Sequence, residues 1–204
     1  MPCFTCYARA YSSGVEAVCR IAARYSAADW RRVGPCAPWT ALDVLRHLQV
    51  TASESHVTHL YALEFGPKEL MSQGKLAEFN QLTLQGLPIR TAPFHLREFV
   101  EAATRHLGEC AATPEVPSFS YHGRVWNVAC GIGVLAVEWH LHAWDLAATI
   151  GEFYRPRSPA LLAAAFRAGT AYLPPPPTDT WDDVLLASGR WPGPNLGDST
   201  RAGR

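Results

Sequence analysis

The stretch Val134–Gly151, VLAVEWHLHAWDLAATIG, decides how the chain is read. It is long, mostly apolar and free of Gly and Pro until its last residue, so it predicts a buried helix. A helix advances about 100° per residue, which places Glu138 and His142, four apart, on one face. Asp145 lies beside them three residues on, and Gly131 and Thr149 extend the stripe. Carboxylates and an imidazole on an apolar helix are costly to bury unless something pairs with them. A metal ion is the reading adopted, with the rest of the chain closing its site.

The composition sets the frame. A chain of 204 residues that is 48% hydrophobic predicts one domain with an ample core. The bundle is expected over about residues 10–190, with flexible tails at 1–10 and 191–204. The 18 basic and 18 acidic side chains cancel and form no basic face, which argues against nucleic acid as a partner. No membrane span is expected, because Glu138, His142 and Asp145 interrupt the most apolar run. Six cysteines lie at 3, 6, 19, 36, 110 and 130. Cys3 and Cys6 form a lone CxxC, read as part of a poorly ordered terminus; the others read as small core or loop residues. A reducing, cytoplasmic compartment fits this usage.

Outward from 134–151, the remaining helices follow from periodicity and punctuation. A helix is expected over 13–28, with Val15, Val18, Cys19, Ala22 and Ala23 inward. Gly34, Pro35 and Pro38 mark a loop. Thr40 and Asp43 then resemble a capping box that opens a helix from Ala41 to about Glu64. Residues 69–84 are ambiguous, because Gly74 interrupts an otherwise helical pattern. Pro93 opens a helix over about 94–107, and 108–125 reads as a loop with a short extended piece. The 134–151 helix starts near 125–127, and Gly151 is its terminating glycine. A further helix opens at Pro159 and runs to about Tyr172, before four prolines. A last short one covers 181–188. The predicted fold class is all-α, a four-helix bundle with short additional helices, whose interior is where such folds build metal sites.

Glu138 and His142 supply two ligands, and a third must come from another helix. His47, on the core-forming 41–64 helix, is the best candidate. Two histidines and a carboxylate suit Zn2+ with one position left open, and the donor types also accommodate Fe2+ or Ni2+. Asp145 is expected to orient a histidine or to pair with an arginine. Arg46 and Glu54 are further candidates for orientation or acid–base work. His140 points away from the stripe, and it and Trp139 are read as packing or surface residues. His56, His59, His95, His106 and His122 show no convergent partner.

Two motifs resemble a known family. Pro38-Trp39-Thr40-Ala41-Leu42-Asp43-Val44-Leu45-Arg46-His47-Leu48 is similar to the GWT-x-x-D-x-x-x-HL segment of the DinB-like superfamily. Val137 to Ala147, VEWHLHAWDLA, resembles the E-x-x-x-H-G-W-D-L-A segment of the metal-binding N-terminal domain of mycothiol-dependent maleylpyruvate isomerases. Asp183 to Arg190 resembles the LLALLGR ending of single-domain relatives. The chain departs from the pattern at Ala143, at Ala37–Pro38, and in lacking a match to the isomerase's second domain. The resemblance implies a DinB-like four-helix bundle holding a divalent metal through His47, Glu138 and His142. It also implies mycothiol or a similar thiol as cosubstrate in isomerisation or S-transfer on a small molecule. A thiol-independent Lewis-acid enzyme (hydrolysis, elimination or cyclisation) and a non-enzymatic small-molecule binding bundle are the alternatives. A homodimer through bundle helices is compatible with the fold.

Overall fold

The computed structural model describes residues 3–170 and 173–190. Seven helices dominate it: α1 (Phe4–Ala22), α2 (Ala41–Phe65), α3 (Gln73–Gly86), α4 (Ala92–Cys110), α5 (Val128–Thr149), α6 (Pro159–Gly169) and α7 (Trp181–Ala187). Three short strands accompany them: β1 (Lys68–Glu69), β2 (Pro117–Tyr121) and β3 (Arg124–Asn127). The expected all-α bundle is present. α1 packs on α5, α2 packs on α4, and α2 and α5 meet across the interior. Among the described residues no helix is long and apolar enough to cross a membrane.

The Thr40/Asp43 box is formed as its chemistry requires. Thr40 Oγ1 accepts from the Asp43 amide at 3.2 Å, and Asp43 returns the bond to the Thr40 amide at 3.1 Å. Asn127 caps α5 in the same way, accepting from the Cys130 amide at 3.0 Å.

α1 corrects the sequence reading most. It begins at Phe4 rather than near residue 13, so residues 4–10 are helical and not a tail. Its buried face is led by Tyr7, Ala10, Tyr11 and Gly14, with Ala17, Val18 and Ile21 further on. Val15 and Cys19, expected inside, are half-buried. The aromatic pair Tyr7 and Tyr11 sets the face, and Tyr11 meets Trp139 edge-on at 5.5 Å between ring centroids. Gly14 permits this close approach: a Cβ there would lie 2.7 Å from Trp139 Cβ. Gly14→Ala is therefore expected to destabilise the protein by about 1–3 kcal/mol, read as a lower midpoint in urea unfolding. An unchanged midpoint would mean that α1 and α5 are not held at this spacing.

The 108–125 loop reading is also revised. Residues 117–127 form a hairpin, β2 antiparallel to β3, and β1 adds in parallel to β2. His122 and Gly123 turn the hairpin with φ of 49° and 78°, the left-handed pair that two-residue hairpin loops favour. Residues 73–86 are helical despite Gly74. α6 ends at Gly169, and its expected end at Tyr172 lies outside the described residues, as does the tail from Trp191.

Candidate metal centre

α5 is buried over most of its circumference, and its polar stripe turns toward α2. Glu138 Oε1 lies 3.1 Å from His142 Nε2 and 3.2 Å from His47 Nε2. The three donor atoms lie within 4.8 Å of one another. Ligands on a tetrahedron with arms of about 2.0–2.1 Å stand about 3.3 Å apart, so this spacing fits a single ion. The two histidine side chains are 5% and 7% exposed, whereas that of Glu138 is 33% exposed. The triad thus has a closed back and one open side. Trp39 packs over His47 with ring centroids 5.0 Å apart.

Behind His142 lies a chain of charge. His142 Nδ1 is 2.9 Å from Asp145 Oδ2. Asp145, only 1% exposed, accepts two bonds from Arg190, from Nε at 2.8 Å and from an Nη at 2.7 Å. A donated Nδ1–H leaves the Nε2 lone pair facing Glu138 and His47, the tautomer a metal ligand needs. Asp145 therefore takes both roles that the sequence left open. Cys36, in the loop before α2, donates its thiol to Asp145 Oδ2 at 3.0 Å. That loop is pressed onto α5 at Gly34, where a Cβ would stand 2.0 Å from Thr149 Oγ1.

The electrostatics follow from these contacts. Burial pulls His47 below its ordinary value, so it stays neutral and able to ligate. Burial would raise Glu138, but the two imidazoles outweigh it and hold the carboxyl well below its usual range. Burial would lower His142, but Glu138 and Asp145 outweigh it and hold the imidazole well above its usual value. Asp145 is depressed because His142 and Arg190 overcome its burial. A buried carboxylate, Asp145, and a partly exposed one, Glu138, make a pocket for positive charge around these imidazoles, and a divalent ion would take the place of the proton at His142 Nε2.

The open side faces a cavity of about 420 Å³, a volume suited to a small organic ligand. Glu138 and Arg190 reach it from the centre, while Met71, Phe79, Phe119 and Leu141 supply apolar walls. Thr51, Glu54, Ser55 and Thr58 line it from α2.

Sequence reasoning located His47, Glu138, His142 and Asp145 together. Arg46 is not among them. Its guanidinium binds Asp43 at 2.8 Å and the Leu84 and Leu87 carbonyls at 2.5 and 2.6 Å, tying α2 to the end of α3. Glu54 is exposed on the cavity wall. Cys36 and Arg190 were missed: their only signals were a cysteine a few residues before the first motif and an arginine ending the last one. Three of the other histidines, His95, His106 and His140, are buried and pack within the fold. His95 bridges Gln49 and the Arg90 amide at 2.6 and 3.1 Å. His106 contacts Cys110 at 3.3 Å. His140 contacts the Ala10 carbonyl at 3.1 Å and the Tyr154 hydroxyl, so it is a packing residue of the α1–α5 interface.

Fold and site together define a helical bundle with a His–Glu–His centre opening on a ligand-sized cavity. Residues 12–147, more than half of the chain, match the mycothiol maleylpyruvate isomerase N-terminal domain, and the protein belongs to that family. No curated protein and no solved structure matches the chain. Arg190 lies beyond the matched residues.

Proposed function

We propose that the protein is a metal-dependent enzyme that uses a low-molecular-weight thiol of the mycothiol type to isomerise a small molecule or transfer sulfur to it. The observation that carries this reading is the one-sided exposure of the triad: two buried imidazoles and a carboxylate whose free edge faces the 420 Å³ cavity. Zn2+ suits His47, Glu138 and His142 best, and when bound it lowers a thiol's pKa and presents it as thiolate. The chain's own residues do the rest. Asp145 and Arg190 hold His142 in its ligating tautomer. Glu54, on the wall of the same cavity, accepts or returns a proton in this reading. The apolar walls exclude water from the reacting sulfur and favour a compact, largely apolar substrate.

Purified protein is expected to hold about one divalent ion per chain, and its activity on a candidate thiol adduct or cis-enedione to vanish on chelation and on omission of thiol. Activity that persists with every small thiol removed would favour metal Lewis-acid chemistry instead. A chain that takes up no metal would sink both.

A further inference from the structure

The CxxC at the start of the chain takes no part in the site above. Cys3 is the N-cap of α1 and is exposed, and Cys6 is half-buried one turn on. Their sulfurs stand 3.1 Å apart. Residues three apart on a helix have Cα atoms about 5 Å apart, inside the 4.4–6.8 Å span that a disulfide bridges. The two thiols are unequal. As a thiolate, Cys3 accepts a hydrogen bond from the Cys6 thiol, which holds it below the ordinary thiol value. Cys6, the donor of that bond, is held above it. The Cys6 and Thr5 amides, in the first turn of α1, lower Cys3 further. The other cysteines lack this arrangement: burial holds Cys19, Cys110 and Cys130 above the ordinary value, and Cys36 is bonded to Asp145.

We infer that Cys3 and Cys6 form a reversible dithiol–disulfide site that exchanges with low-molecular-weight disulfides, Cys3 attacking and Cys6 resolving. The Cys3 thiolate attacks one sulfur of a small disulfide. The bond between the two small-molecule sulfurs breaks, one leaves as thiolate, and a mixed disulfide forms on Cys3. Cys6 then gives its proton to solvent and attacks Cys3 Sγ, and the second small thiolate leaves. The protein loses two electrons and two protons, and one small disulfide becomes two thiols. The resolving sulfur already sits beside the one it must attack, so the second step needs little rearrangement of α1. The site does not depend on the metal centre, and both cysteines precede the family-matched residues.

The test uses the full chain incubated with excess oxidised glutathione, followed by intact mass and peptide mapping. The expected result is a loss of two hydrogens mapped to a Cys3–Cys6 link, with the other four cysteines still alkylated. Cys6→Ser should stop at a stable glutathione adduct on Cys3. Cys3→Ser should acquire adduct at Cys6 more slowly than Cys6→Ser does at Cys3, because the Cys6 sulfur is half-buried and Cys3 is exposed. Wild-type protein that keeps six alkylatable cysteines, a link mapped elsewhere, or equal adduct rates in the two variants would overturn the assignment.

Discussion

Asp145→Ala is expected to lower unfolding free energy by about 3–5 kcal/mol and metal affinity by about 10- to 100-fold. Asp145 is 1% exposed and accepts from His142 at 2.9 Å and from Arg190 at 2.8 and 2.7 Å. Removing the carboxylate leaves the Arg190 guanidinium, 14% exposed, without its two strongest hydrogen bonds and its adjacent countercharge. It also frees His142 to turn or change tautomer. These two losses separate experimentally. Urea unfolding of the metal-free chain reads the first, and competition with a chelator reads the second. Asp145→Ala combined with Arg190→Met should recover much of the stability, because an apolar pair of similar volume costs little. It should recover none of the metal affinity. A loss below about 1 kcal/mol in the single variant would show that the carboxylate is solvated in solution and not the buried anchor described above.

Acid is expected to remove about 6 kcal/mol of stability between pH 6.5 and pH 4 through two buried histidines that are not among the proposed metal ligands. Burial pushes His106 and His140 each down to about 4. In the unfolded chain an imidazole takes its proton near 6.5. A group depressed in the fold stabilises it fully above the unfolded value, and that contribution is lost as pH falls toward the folded value. Each histidine thus contributes about 3 kcal/mol across this window, at about 1.4 kcal/mol per pH unit. The geometry explains the depression. His140 Nε2–H donates to the Ala10 carbonyl and Nδ1 accepts from the Tyr154 hydroxyl, so a second proton breaks the latter bond. His106 lies between Tyr11, Cys110 and His59, none of which is anionic. His142 does not oppose the trend, because it is protonated in both states below 6.5 in the metal-free chain. Domains of this size hold about 5–15 kcal/mol in total, so unfolding should begin above pH 4. Urea midpoints measured from pH 7 to pH 4.5 supply the check. A flat profile would mean that both imidazoles are solvated and neither is depressed.

The legible part of the protein is local. The 3.6-residue period of 134–151 by itself places Glu138, His142 and Asp145 on one face. The Thr40/Asp43 box marked where α2 begins because capping is chemistry between residues three apart. His47 could be joined to the pair because a core-facing helix leaves few places for a histidine to go. By contrast, the start of α1 is not legible, because Phe4–Ala10 is a polar–aromatic mixture and only the surface of α5 makes Tyr7 and Tyr11 its anchors. The β2–β3 hairpin is not legible because its turn uses His122-Gly123 in place of the Asn-Gly or Asp-Gly pair that marks such turns in sequence.

What the amino-acid sequence determined by itself is most of the helices, the bundle they form and the three donors proposed for the candidate centre, since periodicity and capping act within a few residues. Tertiary structure alone decided which partners complete that centre. Arg190 reaches Asp145 across 45 residues of sequence and Cys36 reaches it across 109. Arg46, beside His47 in sequence, turns instead to the end of α3. Neighbouring residues on a helix point about 100° apart, so adjacency separates side chains there, while packing brings together groups that no local pattern links.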